Sequence, residues 1–154
     1  KRVTWWPQLF LGLAFNWGAL MGWAAVRNDL SVAAAVLYLA GIAWTLGYDT
    51  IYALQDKDDD ALIGIKSTAR LFGATTPAWL KGFYAATLLG IAATGALQSL
   101  AWPFFALLAL GAAHLAWQVA TLDIDAPEDC LRKFKANRDF GLIVFAAVIA
   151  GRLF

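Results

Sequence analysis

Residues 30–60 read LSVAAAVLYLAGIAWTLGYDTIYALQDKDDD. From Leu30 to Tyr48 there is no charged side chain. At 1.5 Å per residue a helix of that length covers close to the roughly 30 Å hydrocarbon core of a bilayer. Asp49, Asp56, Asp58, Asp59 and Asp60 follow at once. The stretch therefore predicts a membrane helix that ends in a crowd of carboxylates.

The rest of the chain repeats the first half of that pattern. Apolar stretches of spanning or near-spanning length predict membrane helices at about 8–26, 80–97, 101–122 and 140–154, which with 30–48 makes five. Arg27-Asn28-Asp29 and Gln98-Ser99 are tight turns, whereas 49–79 and 123–139 are long polar loops. The fold class is thus all-α, a polytopic transmembrane bundle in a lipid bilayer, with backbone bonds closed inside each segment. Composition agrees: 61% apolar, 15% charged, mean hydropathy +0.62, against about 45–50% and 25% for a soluble domain. A net charge of +1 without a basic cluster gives no footprint for nucleic acid. The single cysteine, Cys130, excludes an internal disulfide. The chain opens Lys1-Arg2-Val3 with no Met, and its first apolar stretch is too long for a signal peptide. It is expected to be a piece of a longer protein, a processed mature chain being the alternative.

Five spans put both long loops on one side, with ten of the 12 basic residues, only Arg27 and Arg152 lying opposite. By the positive-inside rule that side is the cytoplasm, and the expected location is a bacterial inner membrane with the site facing the cytoplasm. Of the 11 acidic residues, all but Asp29 are there too, which orientation does not require. If the second helix continues at about 100° per residue, Asp49, Tyr52, Asp56 and Asp60 fall within an arc of roughly 80°. Like charges so placed repel, and a divalent cation would reverse the sign. Oxygen-only ligands fit Mg²⁺, which commonly completes its shell with phosphate oxygens and water. Asp49, Asp56 and Asp60 are the candidate metal ligands; a solvated, Asp-rich helix end is the plain alternative. Lys66 and Arg70, four residues apart, would receive a diphosphate, or simply anchor the interface. A diphosphate beside a lipid-filled cavity implies a polyisoprenoid donor.

These residues resemble the UbiA superfamily of intramembrane aromatic prenyltransferases, whose second Asp-rich motif, DxxYxxxDxxxD, matches Asp49, Tyr52, Asp56 and Asp60. The wider run through Gly64-Ile65-Lys66-Ser67-Thr68-Ala69, with 11–18 and 130–138, is similar to the branch that prenylates 4-hydroxybenzoate in ubiquinone biosynthesis. The resemblance implies a nine-helix fold of which this chain is the C-terminal half, the missing N-terminal half carrying a first Asp-rich motif. It further implies Mg²⁺-dependent transfer of a polyprenyl group from polyprenyl diphosphate to the 4-hydroxybenzoate ring, with this piece alone inactive. Asp49, Tyr52, Asp56 and Asp60 would serve catalysis. Arg132, Lys135 and Asn137 would touch phosphate or the acceptor carboxylate, unless they meet lipid headgroups, and Asn16 would line the cavity or bond a neighbouring helix. His114, mid-membrane, is expected to be neutral and paired across helices. The competing functions are another acceptor (a menaquinone, chlorophyll or haem precursor) and a non-catalytic cation-binding membrane subunit.

Overall fold

The protein is seen as a computed structural model that describes residues 2–153. Lys1, counted above among the loop-side cations, and Phe154, the expected end of the last span, lie outside them. The chain forms helices α1 (Pro7–Phe15), α2 (Trp17–Arg27), α3 (Val32–Ala53), α4 (Lys57–Leu62), α5 (Thr68–Phe72), α6 (Thr76–Leu97), α7 (Trp102–Ala120) and α8 (Pro127–Leu153), with a 3-10 turn at Gly73–Thr75. There is no strand among the described residues.

Local chemistry sets the boundaries. Ser31 starts α3 by accepting the Ala34 N–H at 3.4 Å, as an N-cap should. Both expected tight turns are present, each closed by a non-glycine residue in the left-handed region: Asn28 at φ 53° and Ser99 at φ 51°. At the second, the Leu100 N–H reaches the Gly95 carbonyl at 2.9 Å and the Ser99 N–H reaches Ala96 at 3.0 Å, so carbonyls left over at the end of α6 are satisfied.

α3 is the central helix. It packs along α6 and also meets α1 and α8, while α7 lies on α8. Phe104, Leu80, Leu115 and Phe140, each no more than 1% exposed, fill the joint between these helices. In lipid such packing is stabilised by close van der Waals fit and interhelical hydrogen bonds, since no water is expelled by helix association. Outside this core, α1 and α2 bury little beyond Gln8 and Gly12.

Three expectations about the elements need correction. The second helix does not continue through Asp60: α3 stops at Ala53 and α4 begins after Asp56. Carboxylates at the C-terminal end of α3 would oppose the helix dipole. The break instead puts Asp58, Asp59 and Asp60 in the first turn of a new helix, where the dipole favours them. The 80° arc therefore does not exist. Second, 49–79 is not a loop, because it holds the end of α3, α4, α5 and the start of α6, which begins at Thr76 rather than Leu80. Third, most of 123–139 is helical: Pro127 opens α8, with Glu128 and Asp129 in its first turn, a favoured start. Among the described residues, four segments are long and apolar enough to cross a membrane: Pro7–Arg27, Val32–Ala53, Thr68–Leu97 and Trp102–Ala120. The expected fifth span is only the apolar end of α8, whose other end is charged.

Candidate functional site

The acidic motif sits where α3 gives way to α4. Asp49 is half-buried in the last turns of α3, Tyr52 is 41% exposed, Asp56 is exposed on the turn, and Asp60 is 6% exposed within α4. A buried 2.6 Å hydrogen bond between the Thr50 and Thr68 hydroxyls ties this end of α3 to the start of α5. The Gln8 side-chain oxygen accepts the Thr68 N–H at 3.2 Å, and Ser67 caps α5 at the Arg70 N–H. Ser67 and Thr68 are thus committed to the fold, and what they position is Lys66 and Arg70 beside the acidic turn. Arg70 is itself engaged, since its Nη1 donates to the carbonyls of Ile65 and Asp60. It braces the turn. Lys66 is half-buried, with its ammonium 5.9 Å from the Trp5 ring centre.

An oxygen-only donor set suits a hard dication, and in that respect Asp49, Asp56 and Asp60 fit Mg²⁺. With α3 ending at Ala53, they do not share the single helix face that a continuous helix would have given them. Among the described residues no three His, Cys, Asp or Glu side chains gather closely enough to hold a metal.

The charged start of α8 faces a cavity of about 700 Å³, lined by Trp44 and Tyr48 of α3 and by Arg132, Phe134, Lys135, Asn137, Arg138 and their α8 neighbours. That size suits a small organic ligand. Its walls are aromatic: Trp44 and Tyr48 stand 5.5 Å apart, and Tyr48 lies 5.9 Å, centre to centre, from Phe134. Its rim is cationic. Arg132 pairs with Asp129, Arg138 pairs with Asp139 at 3.0 Å, and among the described residues Lys135 forms no ion pair. Beyond Trp44 a second cavity of about 220 Å³, mostly apolar, includes Asn16, and a third of about 150 Å³ continues to Arg152.

Of the predicted residues, Arg132, Lys135 and Asn137 thus share one cavity. Asp49, Tyr52, Asp56, Asp60, Lys66 and Arg70 lie outside its lining, around the end of α3. Asn16 lines the second cavity and donates to Thr45 Oγ1 at 2.9 Å. His114 pairs with the Ala136 carbonyl across helices, Nε2 to oxygen 2.9 Å. Asn137 is 5% exposed and its amide is used inside the bundle. Sequence reasoning missed Trp44, Tyr48 and Phe134 as cavity walls, although Trp44, Tyr48 and Tyr52 recur at four-residue spacing along one helix face.

The α7–α8 turn is braced electrostatically. Lys57 of α4 reaches Asp125 and the Ile124 carbonyl. Lys133, 1% exposed, donates to Thr121 and stands 3.9 Å from the Trp117 ring centre. Burial pushes the Asp129 carboxyl up, but the Asp123 N–H, Arg132 and Lys133 outweigh it and hold the group below its ordinary 3.8. Burial and neighbouring Asp129 push the Cys130 thiol up to about 11.

An all-helical, membrane-embedded bundle with carboxylates and cations collected at one end is consistent with a lipid-diphosphate enzyme, and comparison with known proteins agrees. Residues 1–148 match the UbiA prenyltransferase family, and the chain belongs to it. It is 53% identical over 154 residues to the mitochondrial 4-hydroxybenzoate polyprenyltransferase of Bos taurus, covering 99% of this chain and 42% of that protein. The proteins of the same name from Homo sapiens (51%; 99% and 42%) and Arabidopsis thaliana (49%; 100% and 38%) are similar. The chain thus spans about two-fifths of the length of these relatives. No solved structure matches it. The relatives are named as mitochondrial, which overturns the expected bacterial inner membrane and, with it, the cytoplasm-facing site.

Proposed function

We propose that this chain, completed by the remaining portion that its relatives carry, transfers a polyprenyl group from polyprenyl diphosphate to the ring of 4-hydroxybenzoate in ubiquinone biosynthesis. The observation that carries the proposal is the aromatic-walled, cation-rimmed cavity between α3 and α8, next to the acidic turn. Arg132 and Lys135 suit the acceptor carboxylate, for which guanidinium and ammonium are natural partners. Trp44, Tyr48 and Phe134 suit the ring. The aromatic walls exclude water, which would otherwise capture an allylic cation.

Asp49, Asp56 and Asp60 would hold Mg²⁺ together with diphosphate oxygens and with ligands from outside this chain. That ion would offset the charge developing on the departing diphosphate. Lys66 would bind a further diphosphate oxygen, with Arg70 keeping the turn in place. In the reaction the C1–oxygen bond of the donor breaks, the ring carbon ortho to the hydroxyl bonds C1, and the proton on that carbon leaves. The chain by itself, without the ligands that the remaining portion would supply, is expected to be inactive.

The test is to express the chain with the upstream portion of its bovine relative and follow labelled 4-hydroxybenzoate into prenylated product in membranes, with and without Mg²⁺. Asp56→Ala should lower the rate by a hundredfold or more, on the order of a lost electrostatic stabiliser. Full activity in that variant, or labelling of other phenols only, would contradict the proposal.

A further inference from the structure

Trp44 is the wall shared by the first two cavities. Its indole is fixed from several directions. Nε1–H donates to Asn137 Oδ1 at 2.9 Å, and the ring meets Phe140 edge-on at 5.1 Å and Tyr48 at 5.5 Å. A Cβ at Gly141 would come within 3.3 Å of Trp44 Cη2, so glycine makes room for the indole's far end. Asn137 is held in turn. Its Nδ2 donates to Gln118 Oε1 at 3.0 Å and to the Lys133 carbonyl at 3.1 Å, and Tyr84 donates to the same Gln118 oxygen at 3.3 Å. Turning the Asn137 amide over would set a donor against Trp44 and an acceptor against Gln118, so the network permits one orientation. Four helices, α3, α8, α7 and α6, each contribute one side chain to it.

We propose that Trp44 is a specificity-determining residue that limits the acceptor to a single ring, and that Asn137 is the positioning residue that holds the indole across the boundary. The proposal rests on the function proposed above. A one-ring acid whose carboxylate meets Arg132 and Lys135 has the indole at its far side, while a fused second ring must occupy the volume that Trp44 fills. Without the indole the two cavities become one, and the larger acid fits. A bounded pocket discriminates in this way by steric exclusion.

The experiment uses the completed enzyme and measures kcat/KM for 4-hydroxybenzoate and for a hydroxynaphthoate, reported as their ratio. Trp44→Ala should lower that ratio at least about tenfold. Trp44→Phe and Asn137→Leu, the first removing the donor and the second its acceptor, should lower it by similar, smaller factors that do not add in the double variant. Leu142→Ala, at a 59% exposed position, should leave it unchanged. If Trp44→Ala fails to fold, Trp44→Phe and Asn137→Leu decide the matter. A rate that falls while the ratio stays fixed would overturn the proposal and leave Trp44 structural. An unsubstituted enzyme inactive on both acids would instead overturn the proposed function, and this proposal with it.

Discussion

Gln118→Leu tests the polar joint at the centre of the bundle. Gln118 is fully buried, and its Oε1 accepts from Tyr84 OH at 3.3 Å and from Asn137 Nδ2 at 3.0 Å. Leucine nearly matches its volume but offers no acceptor. A buried donor left unpaired costs about 1–3 kcal/mol, which for two donors would reach about 4 kcal/mol. Two facts reduce that figure. Hydrogen bonds between membrane helices average only about 0.6 kcal/mol. In addition, among the described residues Gln118 Nε2 is buried with no hydrogen-bond partner, so removing it relieves a desolvation cost of about 1 kcal/mol. The expected loss is about 2 kcal/mol. Tyr84→Phe, which deletes only the donor of the longer bond, should cost under about 1 kcal/mol. The double variant should lose less than the two singles together, because a phenyl ring in place of the phenol leaves no hydroxyl unpaired. The assay is reversible denaturation of the purified completed protein in mixed micelles, followed by helicity. A Gln118→Leu variant within about 0.5 kcal/mol of the parent, or strict additivity with Tyr84→Phe, would refute the reasoning.

Further predictions concern packing and titration. A Cβ at Gly95 would lie 2.1 Å from Cε1 of Phe104, itself 1% exposed, so Gly95→Ala should destabilise by about 1–3 kcal/mol through overpacking; an unchanged midpoint in the same assay would contradict this. Cys130, fully buried and with its thiol raised to about 11, should resist maleimide at neutral pH until the protein is denatured. Rapid native labelling would show that the α7–α8 turn opens. Because the Asp129 carboxyl is held below 3.8 in the fold, its contribution is fully present above that value and is lost as pH falls through the lower, folded value. The protection of the amides of residues 128–133 against exchange, relative to the unfolded chain at the same pH, should therefore fall in acid, and Asp129→Asn should remove that acid dependence. An unaltered acid response in the variant would rule it out.

Four of the five expected spans and the two tight turns were legible because membrane hydropathy and turn chemistry are local signals. So was the cross-helix pairing of His114, since a polar ring among apolar helices must find a partner. The end of α3 was not legible. Helical spacing alone cannot register that Asp58, Asp59 and Asp60 are better placed at the start of a helix than at the end of one. The same neglect of terminal electrostatics hid the helical start of α8 behind Pro127, Glu128 and Asp129, whose charge suggested a loop. Asn137 was legible only in part. Its sequence neighbours Arg132, Lys135 and Arg138 suggested a place at the cavity, which it lines, but not that its amide turns inward to hold Trp44. Nothing in the sequence near Trp44 reveals a bond to a residue 93 positions away.

The central claim is that the cationic rim of the α3–α8 cavity receives the carboxylate of the aromatic acceptor. Its most direct test compares 4-hydroxybenzoate with its uncharged amide as acceptors for the completed enzyme, with and without the double substitution Arg132→Ala and Lys135→Ala. The account predicts that the parent favours the acid by at least about tenfold, as a charge-assisted contact should, and that this preference collapses in the double variant while the amide is used as before. An undiminished preference for the acid in the double variant would contradict it.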